Sequence, residues 1–160
     1  MDQFSNDDLI ALVQRGGVYY NIAGTAPNDV LSDLVSTVPL PASIDPGSLL
    51  TALREREALM PTAVGNGIAL PHPRSPIITE AQDQFISICF LAQAVDWKAL
   101  DGKPVRTLIL IVSASPKLHL RTLSRISFLC QQASFRTLLE RRASREEIIQ
   151  AITEAERAWK

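Results

Sequence analysis

Apolar residues recur along this chain in two rhythms, a helical one toward both ends and near-continuous runs through the middle. Leu9, Ile10, Leu12 and Val13 form a first helical face, with Ser5 as its cap, Asp7 and Asp8 as acidic first-turn residues, and Gly16-Gly17 as its stop. Val18-Tyr19-Tyr20-Asn21-Ile22 follows as a first strand. Val30, Leu31, Leu34, Val35 and Val38 then recur at helical spacing, which predicts a second helix capped by Asn28 and ended by Pro39 and Pro41. A third helix opens at Asp45-Pro46, a capping residue with proline at the first helical position. It runs through Leu49, Leu50, Leu53 and Leu59 to a stop at Pro61.

Two short extended pieces, 62–64 and 68–70, flank Asn66-Gly67, a dipeptide that accepts the positive φ angles of a type I′ hairpin turn. The runs 85–94 and 105–113 are the strongest strands, and their apolar continuity predicts strands covered on both faces in the middle of a sheet. Beyond them the pattern turns helical. Ser115-Pro116 opens a helix with Leu120, Leu123, Ile126, Phe128 and Leu129 near its apolar side, and Ser134 caps a short one to about Leu139. Ser144-Arg145-Glu146-Glu147 is a capping box for the last helix, which carries Ile148, Ile149 and Ile152. The class this predicts is α/β, a central sheet flanked by helices on both faces.

Composition narrows the function classes. The 160 residues read as a single domain, 1–160, with no internal repeat, low-complexity segment or linker. Sixteen basic against seventeen acidic side chains offer no electrostatic footprint for nucleic acid or an anionic membrane. No basic region followed by a long apolar stretch opens the chain, and its apolar runs fall short of the ~20 residues that span a bilayer, so the expected location is the cytoplasm. Cys89 and Cys130 sit in apolar surroundings and read as buried. Without a CxxC or histidine-cysteine cluster no metal is expected, and without a P-loop or dinucleotide fingerprint no nucleotide cofactor.

The candidate chemistry lies in Gly65-Asn66-Gly67-Ile68-Ala69-Leu70-Pro71-His72-Pro73, where one of only two histidines is set between two prolines. Each proline fixes its own φ, and Pro73 restrains His72 toward extended geometry, so the ring should be pinned at a reachable rim. The other histidine, His119, falls in the first turn of the helix opened by Ser115-Pro116, where free N–H groups and the helix dipole favour an anion. Two such histidines describe a place for a phosphoryl group. The acceptor must be a neutral imidazole with one bare lone pair and its other nitrogen held as a fixed N–H donor. The charge of the transferring group then calls for nearby donors and a cation. Arg56, near the end of the helix that leads into the hairpin, is the best candidate cation. Read alone, Arg54-Glu55-Arg56-Glu57 is a solvated face of alternating charge.

The run Arg54-Glu55-Arg56-Glu57-Ala58-Leu59, followed by Val64-Gly65-Asn66-Gly67-Ile68-Ala69-Leu70-Pro71-His72, resembles the signature of the EIIA domains of the phosphoenolpyruvate-dependent phosphotransferase system. The type is the mannitol/fructose one, including its nitrogen-regulatory branch. Similarity extends to 95–105 and 118–124 and covers roughly Gly17 to the C-terminus. The resemblance implies a cytoplasmic phosphocarrier with a mixed central β-sheet between helical layers. In such domains the histidine ending the Gly-Asn-Gly motif takes a phosphoryl group from a phosphohistidine on an HPr-like protein, and that position is His72. The family's second active-site histidine matches His119 and its arginine matches Arg56. The acceptor would be an EIIB domain or a regulated protein, with no metal or nucleotide needed. A second reading is an EIIA-like binding module that regulates a partner by contact without being phosphorylated.

Three features depart from the family pattern. Met60-Pro61-Thr62-Ala63-Val64 stands where a Gly-Ser-Thr-Gly segment is common, and Pro73 replaces a residue that is often glycine. Residues 1–16 exceed the minimal domain. They are similar to the segment that joins an excisionase-like helix-turn-helix to an EIIA-like domain in some bacterial regulators, and read as a remnant linker.

Overall fold

The computed structural model describes residues 8–159. Its elements, in chain order, are α1 (Leu9–Gly16), β1 (Val18–Ile22), α2 (Pro27–Thr37), α3 (Pro46–Leu59), β2 (Ala63–Gly65), β3 (Ile68–Ala69), β4 (Phe85–Val95), β5 (Val105–Val112), α4 (Pro116–Cys130), α5 (Ala133–Glu140) and α6 (Arg145–Trp159). A single 3-10 turn, Ala81–Asp83, precedes β4. The five strands form one mixed sheet in the order β1-β4-β5-β3-β2. β1 runs parallel to β4 and β3 parallel to β5, whereas β4 with β5 and β2 with β3 are antiparallel.

The apolar runs of β4 and β5 alternate between two cores, as a period of two residues requires. Cys89, Leu91, Leu108, Leu110 and Val112 face the layer of α2 and α3. Ile86, Ile88, Phe90, Ile109 and Ile111 face the layer of α1, α4, α5 and α6. Gly16 shows how closely these layers pack, since a Cβ there would lie 1.8 Å from the Ile86 carbonyl oxygen. Among the described residues no helix is long and apolar enough to cross a membrane.

Helix starts follow the sequence where a cap and a proline coincide. The Asp45 carboxylate accepts from the Ser48 N–H, the Ser115 hydroxyl from the Leu118 N–H, and Ser144 and Glu147 cap α6 reciprocally. Elsewhere the starts differ. Ala26 holds the capping geometry of α2 and Pro27 its first turn, so Asn28 already lies inside the helix. Gln132, not Ser134, precedes α5. Ser5 and Asp7 lie outside the described residues. The first two N–H groups of α1 are satisfied from across the fold, Leu9 and Ile10 donating to the buried Glu156 carboxylate of α6 at 2.9 and 2.7 Å.

β4 and β5 contribute buried residues to both cores, whereas α4 buries fewer of its apolar residues than its sequence predicts. Ile126 and Leu129 are buried, but Leu120 is 66% exposed and Phe128 half-exposed, because the helix presents only a narrow stripe to the sheet. Leu108→Ala, at a fully buried position in β5, should therefore cost about 2–5 kcal/mol. Leu120→Ala should cost less than about 0.5 kcal/mol. Urea unfolding of the two variants measures the difference.

Candidate functional site

The hairpin that carries the Gly-Asn-Gly turn has positive φ at both of its central residues, 58° at Asn66 and 78° at Gly67. That geometry matches the twist of the flanking strands and lets β2 return directly into β3. The Asn66 N–H donates to the Asp101 carboxylate at 2.8 Å, which ties the turn to the loop between β4 and β5. β3 is only two residues long, yet both pair with β5, Ile68 with Thr107 and Ala69 with Leu108. The register continues past it, because Leu70 donates to the Thr62 carbonyl and Ile111 to the Pro71 carbonyl. His72 is thus delivered by a chain held on both sides.

The His72 ring is buried, 9% exposed, and so is more enclosed than a rim position implies. Its Nδ1 lies 2.7 Å from the Leu70 carbonyl oxygen. A carbonyl can only accept, so Nδ1 carries the proton and the neutral ring keeps a bare lone pair on Nε2. His119 faces it with ring centroids 4.7 Å apart and planes tilted by 40°. His119 is held at that point by α4, whose start is anchored by the Ala114 N–H donating to the buried Gln84 side chain. Arg56 closes the group from the end of α3, its Nη1 donating to the Met60 carbonyl at 2.7 Å.

Burial and nearby charge disfavour the imidazolium form of both rings. Burial lowers the His72 pKa below its ordinary value, and the Arg56 guanidinium lowers it further, against the opposing pull of the Leu70 carbonyl and Glu57. His119 is lowered by burial, then by His72 and Arg56. The α4 terminus contributes fewer donors than its sequence predicts. Pro116 has no N–H, and those of Leu118 and His119 are taken by Ser115. Beside His119 lies a cavity of about 210 Å³ with Arg74, Ser75 and Ser113 as polar wall and Pro73, Pro116 and Leu120 among its apolar ones.

His72, His119 and Arg56 therefore share one place. Arg54 points elsewhere, donating to the Asn28 carbonyl of α2. Sequence reasoning missed Glu57 and Thr62. The Glu57 carboxylate accepts from both the Thr62 N–H and the Thr62 hydroxyl, each at 2.6 Å, where alternating charge predicts a solvated face. No periodic signal marks a side chain that turns back over its own helix end. Among the described residues no group of three or more His, Cys, Asp or Glu is placed to hold a metal ion. Both cysteines are buried, and burial pushes each thiol up to about 12, so neither is a nucleophile at neutral pH.

Residues 12–155 match the family described as phosphoenolpyruvate-dependent sugar phosphotransferase system, EIIA 2. The nitrogen regulatory protein of Pseudomonas aeruginosa is 31% identical over 152 residues, covering 92% of this chain and 96% of that protein. The crystal structure of nitrogen regulatory protein IIA-Ntr from Neisseria meningitidis shares the fold with a TM-score of 0.71 at 22% identity, over 84% of this chain and 92% of that one. So does the mannitol enzyme IIA of Escherichia coli, solved in complex with phosphorylated enzyme IIB, with a TM-score of 0.62 at 17% identity, over 86% and 94% of the two chains.

The lowered histidine values fix a pH dependence. A ring that protonates less readily folded than unfolded stabilises the fold fully above its ordinary value of 6.5, and that contribution is lost as pH falls through the lowered folded value. Ring resonances followed by NMR should therefore show both histidines neutral at pH 7, with midpoints below 6.5. A midpoint at or above 6.5 for His72 would contradict the burial argument.

Proposed function

The chain belongs to the EIIA 2 family of the phosphoenolpyruvate-dependent sugar phosphotransferase system, and from that premise we propose that it is a phosphohistidine carrier in which His72 accepts the phosphoryl group. The observation that carries this reading is His72 Nδ1 held 2.7 Å from the Leu70 carbonyl oxygen, which leaves Nε2 as the uncommitted ring nitrogen, with the His119 ring 4.7 Å away and Arg56 near enough to lower the His72 pKa. In the transfer, the Nε2 lone pair attacks phosphorus in line as the N–P bond of a donor phosphohistidine breaks, and the donor ring recovers the electron pair. The His72 ring becomes more positive as the Nε2–P bond forms, and the Leu70 carbonyl stabilises that charge through the Nδ1–H bond. Arg56 acts on the phosphoryl oxygens through its positive charge and His119 through a ring N–H, where oriented donors count most. His119 and Arg56 need no proton transfer to do this.

The donor is an HPr-like phosphocarrier or its nitrogen-branch relative. Leu59 and Met60 at the end of α3, and Leu120 next to His119, are exposed apolar side chains that support protein docking around the site. The complex of the mannitol enzyme IIA with enzyme IIB supports an EIIB domain as one kind of acceptor. Likeness to a nitrogen regulatory protein over nearly the whole of both chains supports the regulatory branch, in which the phosphorylation state itself is the signal. The place of action is the cytoplasm, and residues 1–160 act as one EIIA domain, with α1 an integral part of its core.

Incubation with phosphoenolpyruvate, Enzyme I and HPr, read by intact-mass spectrometry, should add one acid-labile phosphoryl group. His72→Ala should abolish it, and equal labelling of that variant would displace the assignment. His119→Ala should remain folded and slow the transfer by roughly 10²-fold, the scale of one lost oriented donor. A chain that is never labelled under any donor would instead be a regulatory module that works by contact alone.

A further inference from the structure

His72 is reached from the end of α3 through an unbroken series of hydrogen bonds. Both oxygens of the Glu57 carboxylate hold Thr62, one on its N–H and one on its hydroxyl. The Thr62 carbonyl accepts from the Leu70 N–H at 3.0 Å. The Leu70 carbonyl, on the same residue, accepts from His72 Nδ1 at 2.7 Å. We propose that Glu57 is a positioning residue for phosphoryl transfer, fixing the Nδ1–H tautomer of His72 by holding Thr62, and through it Leu70, in place. This rests on the reading of His72 as the phosphoryl acceptor.

The geometry of the α3 end explains why a carboxylate stands there. The helix stops at Leu59, Met60 is extended, and Pro61 has no N–H to anchor the return of the chain. The three-residue return from Met60 to Thr62 is held instead by two successive helix side chains, Arg56 on the Met60 carbonyl and Glu57 on Thr62. Thr62 is 6% exposed, so water cannot readily replace the carboxylate on its two donors. Bonds from neutral donors to an ionised acceptor are also the stronger kind. Without the clamp, Thr62 is free to shift along β3, Leu70 follows, and the carbonyl that selects the His72 tautomer loses its aim. The wrong tautomer puts the proton on Nε2 and leaves no lone pair to attack.

Ring nitrogen shifts by 15N NMR read the tautomer in the unphosphorylated protein, and phosphoryl transfer from HPr reads the rate. Glu57→Ala should convert a single Nδ1–H form into a mixture and slow the transfer by roughly 10- to 100-fold, the scale of a misplacement near 1 Å. Glu57→Gln, whose amide can still accept from the Thr62 N–H and donate to its hydroxyl, should restore the tautomer and most of the rate. Glu55→Gln, on an exposed position of the same helix, should change neither. An unaltered tautomer and rate in Glu57→Ala would overturn the proposal, as would a Gln variant as impaired as the Ala one, since the effect would then be one of charge. If Glu57→Ala does not fold, Thr62→Val decides, because it removes one of the two clamp bonds at nearly constant volume. Wild-type tautomer and rate in that variant would overturn the proposal. The tautomer measurement needs no donor, so a protein that is never phosphorylated would sink the carrier reading while leaving the clamp separately testable.

Discussion

A single hydrogen bond, from His72 Nδ1 to the Leu70 carbonyl two residues earlier, decides what the site can do. It costs the ring one nitrogen and frees the other. The bond exists only while Leu70 keeps its place, and Leu70 lies just past a strand of two residues that would not persist alone. Its position comes from both sides at once. β5 supplies the parallel register that continues into the Ile111 to Pro71 bond, and the residue just before β2 supplies the Thr62 carbonyl. The five-stranded sheet, with β5 at its centre, thus serves the site chiefly by fixing one carbonyl oxygen.

Burial and charge then act in the same direction on the two rings. Enclosure disfavours the imidazolium form, and Arg56 disfavours it again from the end of α3. On the proposed reading, the same guanidinium that disfavours the imidazolium form also favours the negative charge of an arriving phosphoryl group. Glu57 stands next to Arg56 in sequence and its carboxylate is bound by two Thr62 donors. Its charge opposes that of Arg56 at His72, but burial and the guanidinium outweigh it and the ring's pKa is still lowered. Low exposure of His72 also restricts access to its ring, against which the His119 ring packs.

Much of this was legible in the sequence. The Asp45-Pro46, Ser115-Pro116 and Ser144-Glu147 signals read correctly because a cap is settled within four residues. Asn66-Gly67 read correctly because the positive φ of that turn is a property of those two residues. The runs 85–94 and 105–113 read as inner strands because only two covered faces accommodate so little polarity. Asn28 misled because a good capping residue one position inside a helix looks the same in sequence as a cap. Leu120 and Phe128 misled because counting apolar residues on a helix does not say how wide a stripe its neighbours cover.

What the sequence determined by itself is the kind and order of elements and the presence of a pinned histidine after a hairpin, since propensity, capping and turn geometry are local. What only tertiary structure decided is direction. Arg54 and Arg56 are alike as residues and two positions apart, yet one donates to the Asn28 carbonyl of α2 and the other to the Met60 carbonyl, where its charge acts on both histidines. The N-terminus of α1 is capped by a carboxylate 147 residues away, a partner no window of sequence contains. His72 and His119, 47 positions apart in the chain by subtraction, meet at 4.7 Å because β5 lies beside β3 and leads directly into α4. Distance along a chain and distance in space are unrelated until the sheet assembles, and the tautomer of His72 belongs to the assembled sheet.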